Sequence, residues 1–137
     1  MESGFEIYIS ILHNTTSPMI KSLLLVGLGG AAGSMLRFAC QRFANVPAFP
    51  YGTLLINITG CFLIGLLWGF FQKHSVQETW KLILMTGFCG GFTTFSAFTY
   101  EGVQMLDNNK WLLFILYTGS SVIGGLFATF IGYKIFN

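Results

Sequence analysis

The sequence predicts an all-α membrane protein with four transmembrane helices per subunit, and three observations carry that expectation. Charged residues make up only 9% of the chain and hydrophobic residues 53%, whereas roughly a quarter of a soluble domain is charged. The apolar residues gather into four blocks, each long enough for the ~20 residues that one bilayer crossing needs. Short breaks with turn chemistry separate the blocks, which makes consecutive helices antiparallel neighbours. Seven Lys and Arg against five Asp and Glu leave a net charge of +2. These few basic residues are scattered, so no electrostatic footprint for nucleic acid exists.

Residues 1–18 read as an N-terminal extension ahead of a four-helix transmembrane domain at 19–137. The extension holds Glu2 and Glu6, lacks a basic segment, and has a short apolar run from Ile7 to Leu12. That is not the pattern of a signal peptide. It is either a loose leader or the product of a start upstream of Met19.

The predicted spans are 19–43, 52–71, 80–106 and 111–136. Asn45, Pro47 and Pro50 mark the first break, Gln72 to Ser75 the second, and Asp107, Asn108 and Asn109 the third. Small residues recur at helical spacing: Gly29 and Gly33 in the first span, Gly65 and Gly69 in the second, and Gly124, Ala128 and Gly132 in the fourth. In lipid, helices associate through such faces because small residues let backbones approach closely. Cys40, Cys61 and Cys89 lie in different spans with no metal-ligand spacing and read as packing residues. His13 and His74 fall outside the spans.

Orientation is weakly specified. With four spans, Lys21, Lys73, Lys81 and Lys134 fall on one side and Arg37, Arg42 and Lys110 on the other. So even a division of positive charge leaves two possibilities open: one poorly specified orientation, or insertion both ways up, with two copies pairing as an inverted dimer.

The polar residues inside the spans carry the functional signal. Asn57 lies about a third of the way through the second span, where a bare amide costs several kcal/mol. It therefore faces another helix or a polar pathway. The third span runs Gly87-Phe88-Cys89-Gly90-Gly91-Phe92-Thr93-Thr94-Phe95-Ser96. Either its glycines permit a close helix crossing, or the helix unwinds mid-span and frees carbonyl oxygens for a hard cation. Phe95 and Phe98 stand three apart on one helical face, interleaved with Thr94, Ser96 and Thr99 and followed by Glu101. Hydroxyl donors beside the positive edges of phenyl rings form a surface suited to a small anion. Arg37, near the end of the first span, is an interfacial anchor or an attractor of anions at a pathway mouth.

Gly52-Thr53-Leu54-Leu55-Ile56-Asn57 and the third-span segment from Gly87 to Ser96 resemble the signature segments of the CrcB/Fluc fluoride channels, and the four-span layout is similar as well. The resemblance implies an antiparallel, dual-topology homodimer with two fluoride pores and a structural sodium ion at its centre, in the plasma (bacterial inner) membrane. It further implies that the backbone carbonyls of Gly90 and Thr93 from both subunits hold the sodium. Phe95 and Phe98 would turn ring edges toward fluoride, and Asn57 would be an amide donor to it. Ser96 and Thr94 would belong to the hydroxyl track, Glu101 would end it, and Arg37 would match a basic residue of the first helix. The sequence departs from the family pattern at Ala97, where a hydroxyl is common. It departs again at Gly125, which stands where the fourth helix often has a serine, with Ser121 one turn earlier.

Fluoride holds its water tightly, so a pathway for it needs many short donors and a bore too narrow for chloride. The sequence has neither a nucleotide-binding loop nor paired buried carboxylates, so it reads as a passive pore rather than a pump. A small multidrug-type proton-coupled exporter is the competing reading, but it needs a carboxylate in the first span, which has none. A non-transporting scaffold subunit would leave Asn57 and the hydroxyl-aromatic face without purpose. No nucleophile and base pair suggests an enzyme.

Overall fold

The protein is described from a computed structural model, with the backbone covering residues 4–137 and side chains residues 18–137. Among these residues, the backbone is helical apart from short connections and the interruption described below. Helix α1 spans Gly4–Ala44 and passes through Pro18, α2 spans Tyr51–Lys73, and α6, the fourth span, covers Trp111–Lys134. The third span is composite. It opens with α3 (Glu78–Lys81), continues as a π-helical stretch from Leu82–Cys89 and a short α4 (Gly90–Phe92), and resumes as α5 (Phe95–Asp107).

Among the described residues, four segments are long and apolar enough to cross a membrane: Pro18–Ala44, Tyr51–Lys73, Glu78–Asp107 and Trp111–Lys134. They differ from the expected spans by at most two residues at any end, the usual imprecision of helix ends, which fray. Residues 1–3 of the expected leader lie outside the described residues, as do the side chains of 4–17. The helix does not begin at Met19 but continues back to Gly4.

The chain packs as two pairs. Helix α1 lies against the π-helical stretch and α4, while α2 lies along α6. Glycines set both contacts. A Cβ on Gly87 would come within 2.8 Å of the Val26 carbonyl oxygen, and one on Gly33 within 2.8 Å of the Phe92 nitrogen. Across the other pair, a Cβ on Gly69 would meet the Tyr133 carbonyl oxygen at 2.6 Å, and one on Gly132 the Leu66 nitrogen at 2.8 Å. No side chain fits there, so backbone meets backbone, as the small-residue faces predict. The first loop is closed by the pairing of Val46 with Phe49. The last turns at Asn109, whose φ of 57° is one that asparagine tolerates.

The interruption of the third span falls at Thr93 and Thr94. Thr93 (φ −83°, ψ 157°) and Thr94 (φ −149°, ψ 115°) are extended. Gly90 and Gly91, the residues with the lowest helix propensity, stay helical. The ~1 kcal/mol that glycine costs a helix is small beside the packing it permits: Gly91 lies directly on the backbone of Gly30. Chemistry at Thr94, rather than glycine flexibility, decides where the helix stops.

Candidate functional site

Asn57 and Thr94 form the centre of the site. Asn57 Oδ1 accepts the Thr94 backbone N–H at 2.8 Å, and Asn57 Nδ2 donates to the Thr94 carbonyl oxygen at 3.1 Å. The amide thus pairs with an extended residue as a neighbouring strand would. Thr94 also caps α5, its Oγ1 accepting the Ala97 N–H at 3.2 Å, the usual stabilisation of a helix start. In an unbroken helix, the Thr94 N–H would return to Gly90 and the Ala97 N–H to Thr93. Both are diverted, so the carbonyls of Gly90 and Thr93 lose those partners. Arg37 reaches the residue next to Gly90, its Nε donating to the Gly91 carbonyl oxygen at 2.9 Å. A cation there answers the negative end of α4.

These residues open onto a groove of about 500 Å³ on one face of the subunit, lined by Asn57, Gly90, Thr93, Thr94, Phe95, Phe98 and Ser121. Phe95 and Phe98 have ring centroids 5.6 Å apart. Phe95 is 76% exposed and projects from the subunit. A Cβ on Gly90 would meet nothing within 4 Å. Ser96 does not line the groove but joins it through the 3.2 Å contact between its hydroxyl and that of Thr94. On α6, the hydroxyl oxygens of Ser121 and Thr118 are buried without a hydrogen-bond partner among the described residues. Arg37 does not line the groove.

Glu101 belongs to a second polar cluster, toward the loop end of the bundle. Its Oε1 accepts the Thr53 hydroxyl at 2.7 Å and the Asn45 amide at 3.2 Å, and its Oε2 accepts the Tyr117 hydroxyl at 2.7 Å. Gln41 in turn donates to Thr53 Oγ1 at 2.9 Å, and the Thr53 N–H donates to Asn45 Oδ1 at 3.1 Å. Thr53 and Tyr117 are fully buried. One carboxylate therefore ties together α1, the first loop, α2, α5 and α6. Glu101 and Asn45 also line a second cavity of about 220 Å³, with Gln104 and Lys110. The Phe98 ring stands 5.2 Å from that of Tyr117, which links the cluster to the groove.

The sequence gives no functional role to Tyr117 or Gln41, and it shows Asn45 only as part of the first break and Thr53 only as part of a signature segment. Thr53 lies four residues before Asn57, and Tyr117 four before Ser121, so each pair shares a helix face. That spacing was the available signal. Among the described residues, no cluster of three His, Cys, Asp or Glu side chains is placed to hold a metal.

Comparison with known proteins places these features in a wider context. The family model described as "CrcB-like protein, Camphor Resistance (CrcB)" matches residues 24–133. A protein of Leptospira interrogans named "Fluoride-specific ion channel FluC" is 46% identical over 116 residues, covering 82% of this chain and 91% of its own length. Proteins of the same name from Flavobacterium psychrophilum and Nitratidesulfovibrio vulgaris are 44% and 36% identical over 117 residues, each covering 82% of this chain and 94% of their own length.

Proposed function

The chain belongs to the CrcB family, and from that premise we propose that it is a fluoride-selective passive ion channel, which exports cytoplasmic fluoride and so lowers fluoride toxicity. It is a multi-pass membrane protein. The plasma (inner) membrane of a bacterial cell fits its bacterial relatives. The observation that carries the reading is the groove itself. Polar groups at membrane depth must face protein or water, yet Asn57, Thr93, Thr94 and Ser121 all line an open face.

The second wall of that groove, in our reading, is another copy of the chain inserted the opposite way up. Three features support an antiparallel homodimer: the even division of basic residues, the projecting Phe95 ring, and the open space at Gly90. Each pathway then runs between subunits. Fluoride gives up water to the free N–H of Asn57, to the hydroxyls of Thr94, Ser96 and Ser121, and to the ring edges of Phe95 and Phe98. It reaches the loop-end cavity past Glu101, whose oxygens are already occupied by Thr53, Asn45 and Tyr117. Those donors spread the carboxylate's charge and lessen its repulsion of an anion. Arg37 acts one step back, holding the end of α4 by its bond to Gly91 rather than binding the ion.

The interruption at Thr93 and Thr94 fits a structural sodium ion between the two copies. The carbonyls of Gly90 and Thr93, released from their helical partners, are the hard oxygen donors that a monovalent cation takes. Bound there, sodium supplies positive charge that holds two carbonyl-rich half-helix ends together. No part of the path requires it to move.

A growth test checks the function. Expressed in a bacterium made fluoride-hypersensitive by loss of its own exporter, the chain restores growth in fluoride medium. Failure to do so, with the protein present in the membrane, refutes the reading.

A further inference from the structure

We propose that the Cys61 thiol is a donor in the anion pathway, occupying the place on the α6 face where Gly125 offers no side chain. The inference rests on the fluoride-channel reading and adds a residue to it. Tyr117, Ser121 and Gly125 stand at intervals of four on α6 and so form one row along its axis. The row begins at Tyr117, whose one hydroxyl proton is already given to Glu101. It continues with the Ser121 hydroxyl, which is buried and has no partner among the described residues. At Gly125 the row has no side chain of its own, and a Cβ there would meet Cys61 Sγ at 3.2 Å. The thiol therefore sits against the Gly125 backbone, one turn beyond Ser121.

Cys61 and Ser121 line the same groove as Asn57 and the two phenylalanines. Cys61 also follows Asn57 by four residues on α2, so two faces converge there: the Asn57 face of α2 and the Ser121 face of α6. The thiol is half-buried, and Thr129 bonds the Cys61 carbonyl, leaving Sγ uninvolved. A thiol is a weak donor toward neutral acceptors, but a bond to an anion is charge-assisted and stronger. The proton stays on sulfur throughout, and no covalent step is involved.

The geometry gives a rescue that a packing role would not. A hydroxyl at position 125 would put a donor where Sγ now lies, provided the thiol is removed to make room. The experiment measures fluoride efflux from liposomes for wild type, Cys61→Ala, Cys61→Ser and the double variant Cys61→Ala with Gly125→Ser. The expected result is that Cys61→Ala is slower by about threefold or more, the loss of one modest hydrogen bond. Cys61→Ser and the double variant return to within about twofold of wild type. A wild-type rate for Cys61→Ala, or a double variant no faster than Cys61→Ala, overturns the proposal. Should the variants fail to assemble, wild-type protein is treated with methyl methanethiosulfonate, and modification is read at each cysteine by mass spectrometry. Fluoride, and not chloride, is expected to slow modification of Cys61. Equal modification with and without fluoride overturns the proposal. A wild type that carries no fluoride would instead overturn the channel reading itself.

Discussion

Replacing Asn57 by Asp separates the two tasks given to its amide. Aspartate keeps the acceptor that holds the Thr94 N–H, at 2.8 Å in the wild type. It loses both N–H groups: the one that donates to the Thr94 carbonyl at 3.1 Å and the one left free toward the groove. The fold therefore loses one hydrogen bond, worth about 1 kcal/mol net, and also sets a carboxylate oxygen against the Thr94 carbonyl, which adds to that cost. The ion loses far more. A carboxylate about 4 Å from a passing anion repels it by about 4 kcal/mol at an effective dielectric near 20. That is roughly a thousandfold in rate. Asn57→Ala differs in kind, since it removes both bonds to Thr94 and lets the Thr94 N–H return to Gly90. It should destabilise the protein by about 2–6 kcal/mol if both groups stay unpaired, or erase any dependence on sodium if the helix heals. The assay is fluoride efflux from liposomes, with size-exclusion chromatography and thermal unfolding as controls. An Asp variant that assembles normally and conducts at the wild-type rate refutes the role given to Asn57.

Three other predictions follow from the same geometry. Phe95→Ile removes a ring edge without filling the groove and should strongly slow fluoride efflux while leaving assembly intact; wild-type efflux would show that the ring is merely packing. Tyr117→Phe removes a 2.7 Å bond to a half-buried carboxylate and should cost about 1.5–3 kcal/mol of stability, read as a lower unfolding midpoint; an unchanged midpoint would show that the Glu101 cluster does not hold the helices. Exchange of sodium for a bulkier monovalent cation should weaken dimer stability or activity, measured by cross-linking and efflux in parallel; indifference to the exchange would refute a sodium site at the carbonyls of Gly90 and Thr93.

The spans were legible because lipid imposes a simple rule: long apolar blocks, with turn residues between them. The glycine faces were legible for a related reason, since close backbone approach leaves small residues at fixed spacing. The π-helical stretch Leu82–Cys89, which packs against α1, was not, because no residue pattern in its sequence distinguishes it from an α-helix. The helix interruption shows the limit most clearly. The run from Gly90 and Gly91 to Thr93 and Thr94 pointed to an unwinding in mid-span, but not to its exact residues, where Asn57, more than thirty residues away, takes the Thr94 N–H. Arg37 had two sequence readings, anchor or attractor, and its bond to Gly91 could not be read from the sequence. The Glu101 cluster was half visible: the carboxylate drew notice by its cost in a membrane, while Thr53 and Tyr117 looked ordinary until folding brought them to it.

The most direct test of the account is a paired flux measurement on the purified protein in liposomes. The vesicles hold equal fluoride and chloride, valinomycin carries potassium to balance charge, and ion-specific electrodes follow each anion. The account predicts rapid release of fluoride while chloride stays inside. Silent vesicles, or chloride leaving as fast as fluoride, would contradict it.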